Sequence, residues 1–327
     1  MKTADRITAK IVLDSISPEG IRLPSVHCKL PRIILAEINT HRVLTRNSRS
    51  TRAVPTSRLL SEVRKNPYMP IRYDGNKPGM QAGAALPRDA ARECARVWKQ
   101  SARQAADTAE KLFNLGLHKQ WAGRVLEPYL FTDVLITSTN WTNFFGLRVH
   151  PDAQPEFECL ARKVHEALEA STPRLLLPGQ WHLPYIDAEN DIELALRYTT
   201  ENENCGTDAR LLAVHVMKNL RLLSAARCAR ISYKPFNGEN SDVAAELERA
   251  KKLMGPPLHA SPFEHQATPD MFTAGTVSDD RGDREQITWV NRRLHGNFYG
   301  WVQNRKLMDG ENIEHFEAFD ESLRLAA

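Results

Sequence analysis

From Arg88 to Leu115 the sequence permits little except a long helix. Ala91, Ala95, Trp98, Ala102, Ala105, Ala109 and Leu112 recur at steps of three and four, and Gly116 follows as a terminator. So many alanines on one stripe predict close helix packing, and an interface between subunits is one place for it. With 42% apolar and 26% charged residues in 327, a sizeable core is expected, in one large domain or two ordinary ones.

The flanking segments predict a sheet and further helices. Ile7 to Ser15, Arg22 to His27 and Pro31 to Ile38 read as strands, with Ser17 to Gly20 as a turn. A helix is predicted from a Ser57 cap to Lys65, with Leu59, Leu60 and Val63 on one face. Asn66 to Pro87, rich in Pro, Gly and Asn, is expected to be an irregular loop over a site. Further helices are predicted over His118–Leu126, Asp133–Val149 and Pro151–Ala170. After the loop LLLPGQWHLPYI come two more, capped by Thr207 and Ser241 and reaching Arg230 and Leu253. Gly255-Pro256-Pro257 breaks the chain, Asp279 to Asp283 is a polar turn between weak strands, and a helix is expected at the end. The expected class is α+β: an antiparallel sheet with long packed helices, in a single domain over 1–327. Residues 1–65 supply strands and a loop, 88–170 a helical core, and 207–327 the remainder.

That loop is basic. Between Ile38 and Leu60 there is no acidic residue, while Arg42, Arg46, Arg49, Arg52 and Arg58 all fall inside. Guanidinium forks, an imidazole, hydroxyls and an amide are groups that grip phosphate and hydrogen-bond a planar heterocycle. A solvated basic loop or a nucleic-acid patch would read the same way. The net charge of +4 is too mild to demand nucleic acid and suits an anionic small molecule equally. Five scattered cysteines without a CxxC pair argue against a disulfide framework or a zinc site, so no metal is expected and a reducing cytosol is. The N-terminus lacks a long apolar run, so no signal peptide is expected, and no run reaches membrane-spanning length.

Order and spacing sharpen the reading. His41-Arg42, Thr45, Asn47, Ser50 and Arg52 resemble the signature of flavin-dependent thymidylate synthases: Arg-His-Arg, two residues, Ser, one residue, Asn-Glu, one residue, Ser, one residue, Arg. Thr40 replaces the first Arg, Ser48 the Glu, and Glu37 a Gln just upstream. Arg124 with Pro128, then Asn143-Phe144-Phe145-Gly146-Leu147-Arg148 and Ala153-Gln154-Pro155-Glu156, resemble the family's Arg-x-x-Leu-Pro, Asn-Phe-x-x-Leu-Arg and Ala-Gln-x-Glu. Thr137, Thr139 and Asp152 stand where it has polar Asn, Arg and His. Ala229-Arg230-Ile231-Ser232-Tyr233 and His259-Ala260-Ser261-Pro262-Phe263-Glu264-His265 resemble motifs that precede the arginine segment in the family but follow it here. Circular permutation accounts for the order, since it preserves packing when the old termini lie close together.

The resemblance implies C5 methylation of a pyrimidine deoxynucleoside monophosphate, dUMP to dTMP. FAD would be the hydride carrier, methylenetetrahydrofolate the carbon donor and NADPH the reductant of the flavin, in a cytoplasmic homotetramer without an attacking cysteine. It implies that Arg148 contacts the pyrimidine and favours its ionised form, that Ser50 donates to the substrate, and that Arg52 and Arg124, with Arg49, grip the nucleotide. Glu37 would face the base. His41, Arg42, Asn47 and Asn143, with His259, Ser261 and Glu264, would hold the flavin. A carboxylate at Glu37 would repel a uracil carbonyl but accept from the amino group of cytosine, so dCMP, or transfer of a hydroxymethyl group, is an alternative. Gln303 and Arg305 are candidates to replace the missing Gln and Arg. The competing class is a non-catalytic nucleotide- or nucleic-acid-binding derivative.

Overall fold

The computed structural model describes residues 3–232, 242–255, 258–279 and 282–311. Its centre is a five-stranded sheet in the order β3-β4-β2-β1-β5. The strands are β1 (Thr8–Ile16), β2 (Arg22–Pro31), β3 (Thr45–Ser48), β4 (Phe131–Thr137) and β5 (Arg174–Leu175). All pairs are antiparallel except β1 with β5. This is the expected α+β class.

One sheet face carries Val26, Cys28, Leu30, Val134 and Ile136 and packs on Phe144, Phe157, Leu160, Ala161 and Val164. The opposite face puts Leu135 against Cys228 and Ile231 from the second half of the chain. β4 is therefore buried on both sides. This corrects the helix expected over Asp133–Val149: only Thr142–Arg148 is helical there. A strand buried on both faces reads as a continuous apolar run and shows no alternation.

The strand expected over Pro31–Ile38 is also corrected. Pro31 ends β2, and the chain turns through a 3-10 segment (Arg32–Ile34) into one helical turn (Leu35–Ile38). Proline lacks the N–H a continuing ladder needs, and the Arg32 N–H bonds back to the Leu130 carbonyl at 2.9 Å.

The long helix forms over Arg88–Asn114, and Gly116 leaves it with φ +87°. Its buried alanines, Ala102, Ala106 and Ala109, pack on Leu59, Leu60 and Val63 of the Thr56–Lys65 helix and on Leu126. The close packing predicted from the stripe is thus found within the chain. The 66–87 segment is irregular, as expected, and Tyr68 anchors it: its hydroxyl donates to Glu156 at 2.8 Å and its carbonyl accepts from Trp98 Nε1 at 2.8 Å.

The third predicted helix starts at Pro155, four residues late, because Pro at the first helical position pre-sets its φ. Asp208 and Asp242, not Thr207 and Ser241, cap the helices Ala209–Ala229 and Val243–Met254. Pro55, not Ser57, sits at the start of Thr56–Lys65. A helix over Asn190–Asn202 had no counterpart in the sequence reading. Strands β6 (Ala267–Pro269) and β9 (Trp301–Gln303) pair, as do β7 (Phe272–Asp279) and β8 (Gly282–Trp289); Asp280 and Arg281 of the predicted polar turn lie outside the described residues. The closing helix, Tyr233, Pro256 and Pro257 lie outside the described residues.

Candidate functional site

The arginine segment leaves the Leu35–Ile38 turn and returns as the four-residue edge strand β3, with Thr45 opposite Thr137 and Asn47 opposite Leu135. Arg46 closes the turn by donating to the carbonyls of His41 and Ile38. His41 is thereby held inside, 4% exposed, between the ring edges of Phe144 and Phe157.

Arg148, at the last position of the Thr142–Arg148 helix, reaches across to this turn. Its Nε donates to His41 Nε2 at 3.1 Å, its Nη1 to Glu37 at 3.3 Å, and its guanidinium lies 4.2 Å over the Phe157 ring. Burial, and then the charges of Arg148 and Arg46, hold the His41 pKa below its ordinary value. Because Nε2 accepts, the proton of the neutral ring is on Nδ1. His41 therefore aims Arg148, and Arg148 and Glu37 form a half-open pair of opposite charges.

The other basic residues divide into two groups. Arg49 is enclosed, pairing with Glu62 at 3.1 Å and Asp133 at 3.9 Å. Ser50 Oγ accepts from the Arg52 backbone N–H at 3.3 Å and opens the Thr51–Ala53 turn. Arg42, Arg52, Arg124 and Asn143 are exposed. Arg124 pairs with Glu127 at 3.0 Å. The same carboxylate pairs with Arg32 Nε at 3.0 Å and accepts from Thr51 Oγ1 at 2.9 Å. Arg32 and Glu127 were not candidates from the sequence, although Glu127 occupies the Leu position of the Arg-x-x-Leu-Pro element.

The second half of the chain closes on β3. Asn47 donates to the Cys228 carbonyl at 2.6 Å, and Asn297 exchanges bonds with Thr45 Oγ1 at 2.9 and 3.0 Å. Gln303, 2% exposed, donates to the Glu264 carbonyl at 2.9 Å and to Asn297 at 3.0 Å. Arg305 pairs with the Glu264 carboxylate. Gln303 and Arg305 thus brace the Ser261–Glu264 turn. On that turn Ser261 is exposed, as is His259 just before it. At the substituted positions, Thr40 Oγ1 donates to the Glu37 carbonyl, Thr139 Oγ1 accepts from Tyr299 N–H, and Asp152 accepts from Gln81.

His265 belongs to a fully buried polar chain. Its Nδ1 meets Thr137 Oγ1 at 2.8 Å, Thr137 meets Ser25 at 2.6 Å, Ser25 meets His182 Nε2 at 2.9 Å, and His182 Nδ1 meets Ser15 at 2.8 Å. Burial drives the pKa of each imidazole down to about 3. Burial also pushes the Cys28 thiol up to about 12 and raises those of Cys228 and Cys159, away from thiolate character. Among the described residues no three His, Cys, Asp or Glu side chains group to hold a metal, and no helix is long and apolar enough to cross a membrane.

Residues 24–174 match the family model of the thymidylate synthase complementing protein, Thy1. That span is similar to the Thy1 family. It covers just under half of the chain and includes both the arginine segment and the Asn143–Arg148 motif. The resemblance to flavin-dependent thymidylate synthases, and with it the expectation of an enzyme of that family, is borne out over these residues. The chain is also similar to the UMP/dUMP methylase PolB from Streptomyces cacaoi bound with 5-Br UMP. Identity is 17%, coverage is 50% of this chain and 88% of that one, and the TM-score is 0.40. For PolB bound with 5-Br dUMP the figures are 17%, 50%, 89% and 0.37. No curated protein sequence matches the chain.

Proposed function

We propose that the chain is a flavin-dependent enzyme that methylates C5 of a pyrimidine deoxynucleoside monophosphate, dUMP to dTMP, as one catalytic domain. The observation that carries this reading is the cluster of Arg148, His41 and Glu37 inside the Thy1 span. C5 becomes nucleophilic when charge is drawn into the ring, and a guanidinium that stays charged and planar stabilises that charge. The neutral His41 fixes the direction of Arg148, and the Phe157 ring fixes its plane. Arg52 and Arg124, exposed beside one another's turns, suit the nucleotide phosphate.

The residues fit FAD at its anionic end. Arg42, His259 and Ser261 are exposed and supply a cation, an imidazole and a hydroxyl for a diphosphate, with Asn143 as a further amide. His41, Asn47 and Glu264 already have protein partners and would frame the site. When bound, the flavin supplies the hydride that side chains lack, with methylenetetrahydrofolate as carbon donor and NADPH as reductant. Ser261–Glu264 packs against β3 within one chain, which supports the reading of a circular permutation. A cytoplasmic homotetramer completes the reading.

One observation favours a second substrate. Glu37 presents a carboxylate 3.3 Å from Arg148 Nη1, so an exocyclic amine would find an acceptor beside a donor. That pair suits dCMP, and transfer of a hydroxymethyl group is the corresponding variant. A nucleic-acid-binding role is less well served, because Arg46 and Arg49 face carbonyls and carboxylates inside the protein.

The test is incubation of the reduced protein with methylenetetrahydrofolate and either dUMP or dCMP, followed by product mass. A gain of one methyl on dUMP is expected, and a gain on dCMP alone would transfer the assignment to cytosine. A purified protein that takes up no flavin and binds DNA with steep salt dependence would refute the enzyme reading.

A further inference from the structure

A cleft of about 500 Å³ opens between the Arg32–Ile38 turn and the Gly123–Tyr129 turn, lined by Arg32, Leu35, Ala36, Asn39, Arg124 and Glu127. Its charge is arranged in an uncommon way. One carboxylate oxygen of Glu127 lies 3.0 Å from Arg32 Nε in an ion pair and accepts from Arg124 Nη1 at 3.0 Å and Thr51 Oγ1 at 2.9 Å. Arg32 Nη1 is also tied to the Arg49 carbonyl at 3.1 Å. Two guanidiniums against one carboxylate leave a surplus positive charge, and the shared acceptor holds both forks along one wall. Leu35 and Ala36 form an apolar side, which strengthens any ionic contact made there. The short helix that lines the cleft also carries Glu37, the partner of Arg148.

We propose that Arg32 is a second phosphate-binding arginine in this cleft, beside Arg124, and that Glu127 is the positioning residue that aims both at a phosphate monoester. The proposal rests on the nucleotide reading above. It adds Arg32, which is only 14% exposed and held at three points of its fork and backbone, so little side-chain freedom is lost on binding. Glu127 would reduce affinity if charge alone mattered; as an aligner it raises it.

Calorimetric titration of the full chain with dUMP, deoxyuridine and inorganic phosphate separates these roles. Arg32→Gln is expected to weaken dUMP and phosphate binding about ten- to a hundred-fold, the range of a charge-assisted hydrogen bond, and to leave deoxyuridine unchanged. Arg32→Lys, which keeps the charge and loses the fork, is expected to recover only part of that. Glu127→Gln and Glu127→Leu are expected to weaken dUMP although each makes the cleft more positive. Tighter dUMP binding by the Glu127 variants would overturn the positioning role. Equal loss of dUMP and deoxyuridine with Arg32→Gln, or loss of folate binding alone, would overturn the phosphate assignment. If the wild-type chain binds no nucleotide at all, the nucleotide reading fails, and inorganic phosphate on wild type against Arg32→Gln still decides the cleft.

Discussion

Replacing His182 with glutamine should flatten the dependence of stability on pH. His182 is wholly buried, and both its ring nitrogens meet serine hydroxyls, Ser15 at 2.8 Å and Ser25 at 2.9 Å. No carboxylate is among these partners, so a protonated ring would be a buried charge without a counter-ion. Its folded-state pKa falls to about 3, against about 6.5 in an unfolded chain. The unfolded chain therefore takes up the proton first. Stability that is complete above pH 7 is lost as pH falls through about 6.5, and the loss continues down to about 3. Between about pH 7 and 4.5 linkage gives a loss of about 2.5 kcal/mol from this one group. His265 is lowered first by burial and then by the charge of His182, so its own loss cancels in the comparison wherever the folded His182 is neutral, above about pH 3; the lowered His41 and His295 are common to both proteins. The carboxyls of Asp133 and Asp270 are lowered alike in both proteins and drop out of the comparison as well. His182→Gln keeps a donor and an acceptor but cannot ionise. Its imperfect fit should cost about 1–3 kcal/mol at neutral pH. Urea unfolding followed by tryptophan fluorescence at several pH values should then show the two proteins converging near pH 4.5. Curves that stay parallel throughout would refute the assignment of a neutral buried imidazole.

Gly300 has φ +70°, and a Cβ there would lie 2.5 Å from Ile21 Cδ1 and 3.0 Å from Trp289, so Gly300→Ala should lower stability by about 1–3 kcal/mol in urea titration. Thiol labelling of the native protein should be fast at the exposed Cys94, while Cys28 and Cys228 react only on unfolding; mass mapping of early label on Cys28 would contradict the packing of the sheet. Arg148→Lys keeps a charge but cannot bond His41 and Glu37 together, so turnover should fall at least tenfold with the melting temperature little changed.

Helices over 88–114 and 155–169 could be read from the sequence because each has one wet face and one buried face, which prints a period on the residues. β4 could not, since both of its faces are covered by parts of the chain far away in sequence. The site divides in the same manner. Arg148, Arg124 and the arginine segment announce themselves by motif. That Arg49 is neutralised by Glu62 and Asp133 does not, because an ion pair across 84 residues leaves no local trace. His182 is a single histidine in a Pro- and Gly-rich stretch, and its role is set by Ser15 and Ser25 on two strands. Glu127 was not singled out in the sequence, because its meaning comes from Arg32 on another turn.

The bond from Asn47 to the Cys228 carbonyl joins residues 181 positions apart. On a ribosome the arginine segment emerges long before its clamp exists. β4 arrives before that clamp, and the edge strand β3 lacks its bond to the Ala209–Ala229 helix until the helix is complete. Assembly of this corner must therefore be a late event, paced by long-range closure rather than by local helix formation, and the nascent chain is most open to mispairing with its neighbours in that interval.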